Sequence, residues 1–489
     1  VSSSASSSNP QKSSPTTGGS PRTHAEALRA DPRIAEAKRL IAEAVQEHSA
    51  ALEKPVAKND GLADGYQGML DRFTAVRGGS MFWPYLSAGL GNQSLVELAD
   101  GSVKLDFIGG IGVHGCGHSH PAMIDSAIDG ALEDTVMQGN LQQHPPSLKM
   151  CERLIGLATT GGAKLNHCLL STSGAMANEN ALKIAMHHQS NKGLSGANRV
   201  IAFDNAFAGR TLALASLTDR AKYRMGLPLA VQVDYLPFLD PDDPDKSQRW
   251  AVDELHRLLA RHPGRYAAFW AEPIAGEGGY YPGSEGFFRS LCEPLREAGI
   301  PIIFDEVQSF ARTTRPFAFQ HYGLDQFADI VTIGKITQVC ATLYGTDFVP
   351  KGPILSQTFT GSSASISTGL KMLDMLDEFG CFGADGQNQK RHDYFAAGLQ
   401  QLHKKYPSLI RGPYGECMMI AFTPGDGSYD QAKLLMDTMY EIGLLGFVCG
   451  AEPTRIRFLP PPAIATQQHI DMALSLLDQS LEAFSKKLS

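Results

Sequence analysis

The chain has 489 residues, 43% hydrophobic and 19% charged, which is enough material for two domains with cores of their own. A net charge of -8 leaves no basic surplus for sequence-independent binding to nucleic acid, and no apolar run approaches membrane-spanning length. Eight cysteines stand singly with no C-x-x-C spacing, which argues against a zinc ribbon or a disulfide scaffold and fits a reducing cytoplasm.

Residues 1–22 are dominated by Ser, Pro, Thr and Gly, bury too little apolar area to offset the entropy of ordering, and read as a disordered tail. A serine-rich, acid-free targeting segment is the competing reading. Order is expected from Thr23, which with Glu26 fits a capping box, and Asp31-Pro32 fits a second helix start. Ile34, Ala37, Ile41, Ala44 and Val45 follow at helical spacing, so residues 23–102 read as a helical segment that joins a smaller domain. From residue 103 the pattern changes. The apolar runs HCLLST, RVIAFDN, AAFWAEPI, PIIFDEV and DIVTIGK alternate with amphipathic stretches at residues 175–188, 247–259 and 285–297. That alternation predicts an α/β large domain over residues 103–364, a parallel sheet covered by helices on both faces. Residues 365–489 are helical and mixed, and read as a smaller α+β domain.

In an open α/β sheet, ligands bind beyond the carboxyl ends of the strands. Three of the apolar runs end on residues with chemistry. After HCLLST, Ser173, Gly174 and Ala175 lead straight into a helix, so free N–H groups face the crevice. That suits a phosphate, and it suits an ordinary capped helix equally well. Asp305 emerges from PIIF, and a buried carboxylate needs a cation: a protonated ring nitrogen, a basic side chain or a metal. Gln308 follows closely enough to meet the polar edge of the same ligand. Lys335 ends DIVTIG, where burial and a neighbouring cation would lower its pKa and free the amine for attack on a carbonyl. Lysine, aspartate and a phosphate cradle together are what pyridoxal 5'-phosphate requires of a protein.

Seven runs, LDFIGGIGVHGCGHSHP, STSGAMANENALKIA, NAFAGRT, AEPIAGEGGYYP, PIIFDEVQ, DIVTIGK and RIRFLPPPAI, in that order, resemble a class III aminotransferase of the fold type I pyridoxal-phosphate enzymes. The resemblance implies a mainly parallel seven-stranded sheet in the large domain, and a smaller domain drawn from both ends of the chain. It implies Lys335 as the Schiff-base lysine and proton carrier, Asp305 at the pyridinium nitrogen and Gln308 at the phenolic oxygen. Ser173, Gly174 and Ala175 would bind the phosphate, and Phe207 would stack on the ring. Thr358 would reach the phosphate of a neighbouring subunit, which implies a homodimer with shared active sites, although Thr360-Gly361-Ser362-Ser363 departs from the family's usual Gly-Gly-Asn-Pro. Arg210 would hold the distal carboxylate of glutamate or 2-oxoglutarate, and Arg457 the α-carboxylate. Glu277 would pair with Arg457 until glutamate claims it.

The resemblance therefore implies transfer of a terminal amino group from a basic amino acid to 2-oxoglutarate. Thr337-Gln338-Val339-Cys340 after the lysine is similar to L-lysine 6-aminotransferases, with acetylornithine and ornithine aminotransferases as the alternatives. Aminomutases, racemases and decarboxylases reuse the fold, and Arg210, Glu277 and Arg457 argue for a transferase over them. His114, Cys116, His118 and His120 alternate along a glycine-rich turn and do not converge easily on one ion, so no metal is expected.

Overall fold

The computed structural model describes residues 22–134, 137–139 and 141–488, so the serine-rich tail up to residue 21 lies outside the described residues. Thr23 and Glu26 close their capping box, and Asp31 caps the helix Pro32–Ser49 just ahead of its proline. The apolar stripe of that helix is not core, since Ile41 remains 42% exposed, Ala37 and Ala44 are exposed, and Ile34 and Val45 are only half-buried.

The segment before residue 103 is not helical throughout. Ser87–Asn92, Leu95–Leu98 and Val103–Asp106 form an antiparallel meander, with Leu444–Leu445 added alongside in parallel. SAGLGN hides as a strand because glycine and asparagine carry little β preference. Gly91 is there for space: a Cβ on it would lie 2.3 Å from His118 Cβ and 2.5 Å from the Leu95 carbonyl oxygen.

The central sheet has seven strands: β1 (His167–Ser171), β2 (Arg199–Phe203), β3 (Gln232–Leu236), β4 (Tyr266–Ala271), β5 (Ile302–Asp305), β6 (Ile330–Ile333) and β7 (Cys340–Tyr344). Their order is β1-β7-β6-β5-β4-β2-β3, with β7 antiparallel to both neighbours and every other pairing parallel. The expected architecture is the one observed. Two strands go unmarked by apolar runs in the sequence. QVDYL of β3 is a half-exposed edge, and CATLY of β7 mixes small and polar residues. Only residues 334–339 separate β6 from β7, too short a link for a parallel crossover, so β7 must turn back.

Strands β4, β5 and β6 are buried at every residue, as a sheet covered on both faces requires. Helix α1 (Gly174–Asn191) packs on one face, and helix α2 (Glu285–Glu297) buries Phe287, Phe288, Leu291, Cys292 and Leu295. Phe288 meets Phe304 of β5 at 6.1 Å between ring centres, and Phe287 meets Phe203 of β2 at 5.6 Å. Such pairs contribute ~1 kcal/mol each beyond burial of area. They pin β5, and with it Asp305 at its end.

Toward the C-terminus a four-stranded antiparallel sheet follows, of β8 (Ile410–Glu416), β9 (Met419–Pro424), β10 (Phe447–Cys449) and β11 (Arg455–Phe458), in the order β8-β9-β11-β10. Helices Gln387–Lys405, Tyr429–Ile442 and Gln467–Leu488 bury apolar faces in the core they share with this sheet. β11 is fully buried and brings Arg457 to the crevice. Among the described residues no helix is long and apolar enough to cross a membrane.

Candidate active site

The carboxyl ends of β1, β4, β5 and β6 meet at one crevice. Asp305, 5% exposed, accepts the N–H of Val307 at 2.9 Å through Oδ1 and the amide of Asn178 at 2.7 Å through Oδ2. Burial pushes its carboxyl up to about 6. Glu272, at the end of β4, accepts the N–H groups of Phe207 at 3.1 Å and Gly276 at 2.9 Å. Burial, then repulsion from Asp305, pushes it up to about 8. Two buried carboxylates side by side make a place that attracts a cation.

Lys335 lies three residues beyond Thr332, the residue paired with Asp305 across β5 and β6. Its backbone is left-handed, φ 55°, a conformation that costs a lysine ~1 kcal/mol and that functional sites tend to hold. Burial lowers its pKa to about 8; Glu277 opposes the shift, and Arg457 and Arg312 add to it. A sizeable neutral fraction of this amine therefore exists at mildly basic pH.

Ser173 caps α1, with Oγ accepting the N–H of Met176 at 3.2 Å. A Cβ on Gly174 would lie 2.7 Å from Val307 Cγ1, so the turn packs against the strand-end loop only as glycine. The N–H groups of the first helical turn have no partner within the helix and face an incoming anion. Gln308 accepts from Arg457 Nη1 and from Tyr280 Oη, each at 3.0 Å through Oε1, which leaves its amide nitrogen for a ligand. Phe207 is half-buried, its ring 6.2 Å from that of Tyr223 and edge-on. These residues fit pyridoxal phosphate: an uncompensated buried carboxylate for the ring nitrogen, an amine with a depressed pKa, and a glycine-sized cradle at a helix start.

The opposite wall carries a second set of charges. Arg457, with no exposed side-chain area, is ion-paired through Nη2 to Glu277. Burial alone would raise the Glu277 carboxyl, but Arg457 and then Lys335 outweigh it and hold it below the usual range. The Glu277 carbonyl is fixed by Arg220 Nη2 at 2.7 Å and the Gly450 N–H at 2.9 Å. Arg210 is exposed, with its guanidinium 4.1 Å above the Tyr223 ring centre.

Thr358 is not brought into this cluster by described contacts. It is exposed, and its carbonyl oxygen lies 1.8 Å from where a Gly139 Cβ would be, beside the ribbon pairing Gly361–Ser362 with Met137–Gln138. In the histidine-rich turn, His118 Nε2 pairs with Asp106 Oδ2 at 3.0 Å, His120 caps the helix Pro121–Ala131, and Cys116 packs on Met372 and Met375. Among the described residues no group of three or more His, Cys, Asp or Glu could hold a metal. Asn178, Glu272 and Tyr280 belong to the site without having been singled out in the sequence. The available signal for Asn178 was its spacing, four residues after Gly174 and so on the same helix face.

The family model described as aminotransferase class-III matches residues 83–481. The chain belongs to this family. Curated relatives include an acetylornithine aminotransferase of Methanocaldococcus jannaschii, 29% identical over 79% of this chain and 91% of that protein. A 2-aminoadipate transaminase of Pseudomonas putida is 32% identical over 80% of this chain and 94% of that protein. Among solved structures, the lysine aminotransferase from M. tuberculosis in the internal aldimine form aligns with a TM-score of 0.74 over 85% of this chain and 99% of that one. At 24% identity that likeness speaks for the fold. Class III aminotransferases depend on pyridoxal phosphate, and the chain is a transaminase of that kind.

Proposed function

We propose that this aminotransferase takes the terminal amino group of a basic amino acid such as L-lysine and passes it to 2-oxoglutarate, yielding a semialdehyde and L-glutamate. The observation that carries the reading is the Arg457–Glu277 pair beside Lys335. A terminal-amine donor brings no carboxylate to the reacting carbon, and a buried arginine left bare there would be costly. Glu277 neutralises Arg457 while such a donor is bound. Glutamate does carry an α-carboxylate, and turning Glu277 away opens the guanidinium fork to it. Arg210, exposed and stacked on Tyr223, is the candidate for the distal carboxylate.

Pyridoxal phosphate supplies an electron sink for the charge left when the substrate carbon loses a proton. Lys335 is the residue that would hold it covalently, and its freed amine would take that proton and return it. Asp305 would keep the ring nitrogen protonated, Gln308 would meet the ring oxygen, residues 173–175 would bind the phosphate, and Phe207 would cover one ring face. A homodimer is the proposed assembly, with Thr358 serving the partner's phosphate. The nearby Leu141 and Phe359, 98% and 54% exposed, favour a second copy there. All eight cysteines are free thiols, which supports a reducing, cytoplasmic setting.

A second reading has N-acetylornithine, favoured by the names of curated relatives, or ornithine as donor. The deciding experiment is the visible spectrum of cofactor-loaded protein before and after adding L-lysine without keto acid. Conversion to the aminated cofactor, with glutamate appearing once 2-oxoglutarate is supplied, is the expected result. A band that L-lysine leaves untouched, and that N-acetylornithine or ornithine converts, would replace the first reading by the second.

A further inference from the structure

Asn178 is where the walls of the cofactor crevice are tied together. It is 2% exposed in the first turns of α1. Its amide nitrogen donates to Asp305 Oδ2 at 2.7 Å and to the Ala208 carbonyl at 2.8 Å, and its oxygen accepts from Thr332 Oγ1 at 2.6 Å. The partners fix which end is which, because a carbonyl and a carboxylate can only accept. We propose that Asn178 is a positioning residue for transamination: it holds Asp305 as an ionised, oriented acceptor for the ring nitrogen and ties it to the loop that carries Phe207. The proposal rests on the reading of Asp305 as the partner of that nitrogen.

Local structure gives no reason for asparagine here. Inside a helix a short amide competes for backbone hydrogen bonds, and an apolar residue would suit the position better. Buried, it is tolerable only because Asp305, Ala208 and Thr332 satisfy it completely. The three partners lie on three separate pieces of the site: the end of β5, the loop after β2, and β6. One side chain therefore sets the edge-on acceptor relative to the residue that would lie over the ring face.

The carboxylate itself is held from two sides. Val307 N–H occupies Oδ1 and Asn178 occupies Oδ2, which fixes its plane and leaves lone pairs toward the crevice. Four titratable groups face Asp305: Lys335 from the loop after β6, Glu272 from the end of β4, Glu306 beside it and Cys340 from β7. Only Lys335 can be a cation, and the other three disfavour a second negative charge. Neutral donors aimed at the carboxylate thus oppose its protonation.

The test is Asn178→Asp, which preserves size and the Thr332 contact but points an oxygen at two acceptors. Two readouts need no turnover: the Kd for pyridoxal phosphate, and the pH midpoint of the loaded protein's visible band without substrate. We expect the Kd to rise at least about tenfold. We expect the midpoint to move up by about one pH unit, since an unprotonated ring nitrogen withdraws less charge from the lysine linkage. Thr332→Val, which keeps both amide donors but frees the amide to turn, should move both readouts the same way by less. If Asn178→Asp does not fold, Asn178→Ser and Thr332→Val carry the same comparison. A folded variant with lowered thermal stability but unchanged Kd and midpoint would make Asn178 merely structural and overturn the proposal. Asp305→Asn separates the two levels. A midpoint that Asp305→Asn leaves in place sinks the reading of Asp305; one that moves there but not in Asn178→Asp sinks only the role of Asn178.

Discussion

The two walls of the crevice are built on opposite principles. On the sheet side, Asp305, Asn178, Thr332 and Glu272 are buried, and each is hydrogen-bonded to a strand end, a helix or a backbone N–H. On the β11 side, Glu277 and Arg457 form a single ion pair, the Arg457 Nε is buried without a partner, and Arg210 stands exposed over a tyrosine. The first wall has one satisfied arrangement, and moving any member strands another in a medium where that is expensive. The second leaves Arg457 Nε without a partner and holds its carboxylate by that one ion pair. A transaminase needs both, since one cofactor position must serve two substrates of different shape.

The largest way to break the sheet side is Lys335→Ala. Turnover should fall by about 10³-fold or more, because on the proposed reading both the covalent hold on the cofactor and the proton carrier go with the amine. A rapid-mixing measurement with donor and loaded protein checks this, and a variant turning over at the parent rate would mean another group does the chemistry.

The same wall should announce itself in the pH dependence of the cofactor-free protein. Asp305, Glu306 and Glu272 have carboxyls pushed up to about 6, 7 and 8, each by burial first. Between about pH 4 and pH 8 these three groups therefore bind protons in the folded chain that the unfolded chain has released, and their contribution to stability falls as pH rises. Lys335, lowered to about 8, is charged in both states through most of that range, while His114, His120, His144, His188 and His469, held low by burial, offset part of the trend at its acid end. Urea unfolding should show the protein several kcal/mol more stable at pH 5 than at pH 8, the difference shrinking when pyridoxal phosphate supplies a cation to Asp305. Equal stability at the two pH values would mean the carboxylates ionise without penalty.

Breaking the other wall should separate the half-reactions instead of abolishing both. Glu277→Gln leaves Arg457 without its anion, so a terminal-amine donor meets a bare guanidinium. The donor half-reaction should slow by roughly 10- to 100-fold, while the glutamate half-reaction, proposed to use that guanidinium, stays within about threefold. Equal losses in the two directions would remove the switch from the mechanism.

The contrast also explains what the sequence disclosed. Asp305, Gln308, Lys335 and the turn at residues 173–175 each follow an apolar strand, so an open-sheet pattern was enough to bring them together. Strand β7 was invisible because Cys340, Ala341 and Thr342 resemble a loop, and its short link to β6 became informative only once both strands were known. Asn178 and Glu272 are chemically ordinary in a string of letters. Whether an asparagine faces a sheet or water depends on the rotation of the helix, which packing decides. Thr358 is out of reach for another reason, since its proposed contact lies in a second copy of the chain.

The smallest effect concerns the loop that carries Arg210. Thr218 Oγ1 accepts the N–H groups of Ala208 at 3.0 Å and Gly209 at 3.3 Å, and Asp219 Oδ2 accepts that of Asn205 at 3.0 Å. Residues 205–209 are thus clamped by the segment that follows the helix Leu212–Leu217, and Tyr223 extends the clamp by lying under the guanidinium. An exposed cation–π contact contributes ~0.5–1 kcal/mol. Tyr223→Leu should therefore raise the KM for 2-oxoglutarate about two- to fivefold with the donor half-reaction unchanged, and Tyr223→Phe, which keeps the ring, should match the parent. If the leucine variant keeps the parent KM, Arg210 is held by something other than the ring. If phenylalanine is as poor as leucine, the hydroxyl matters and stacking does not.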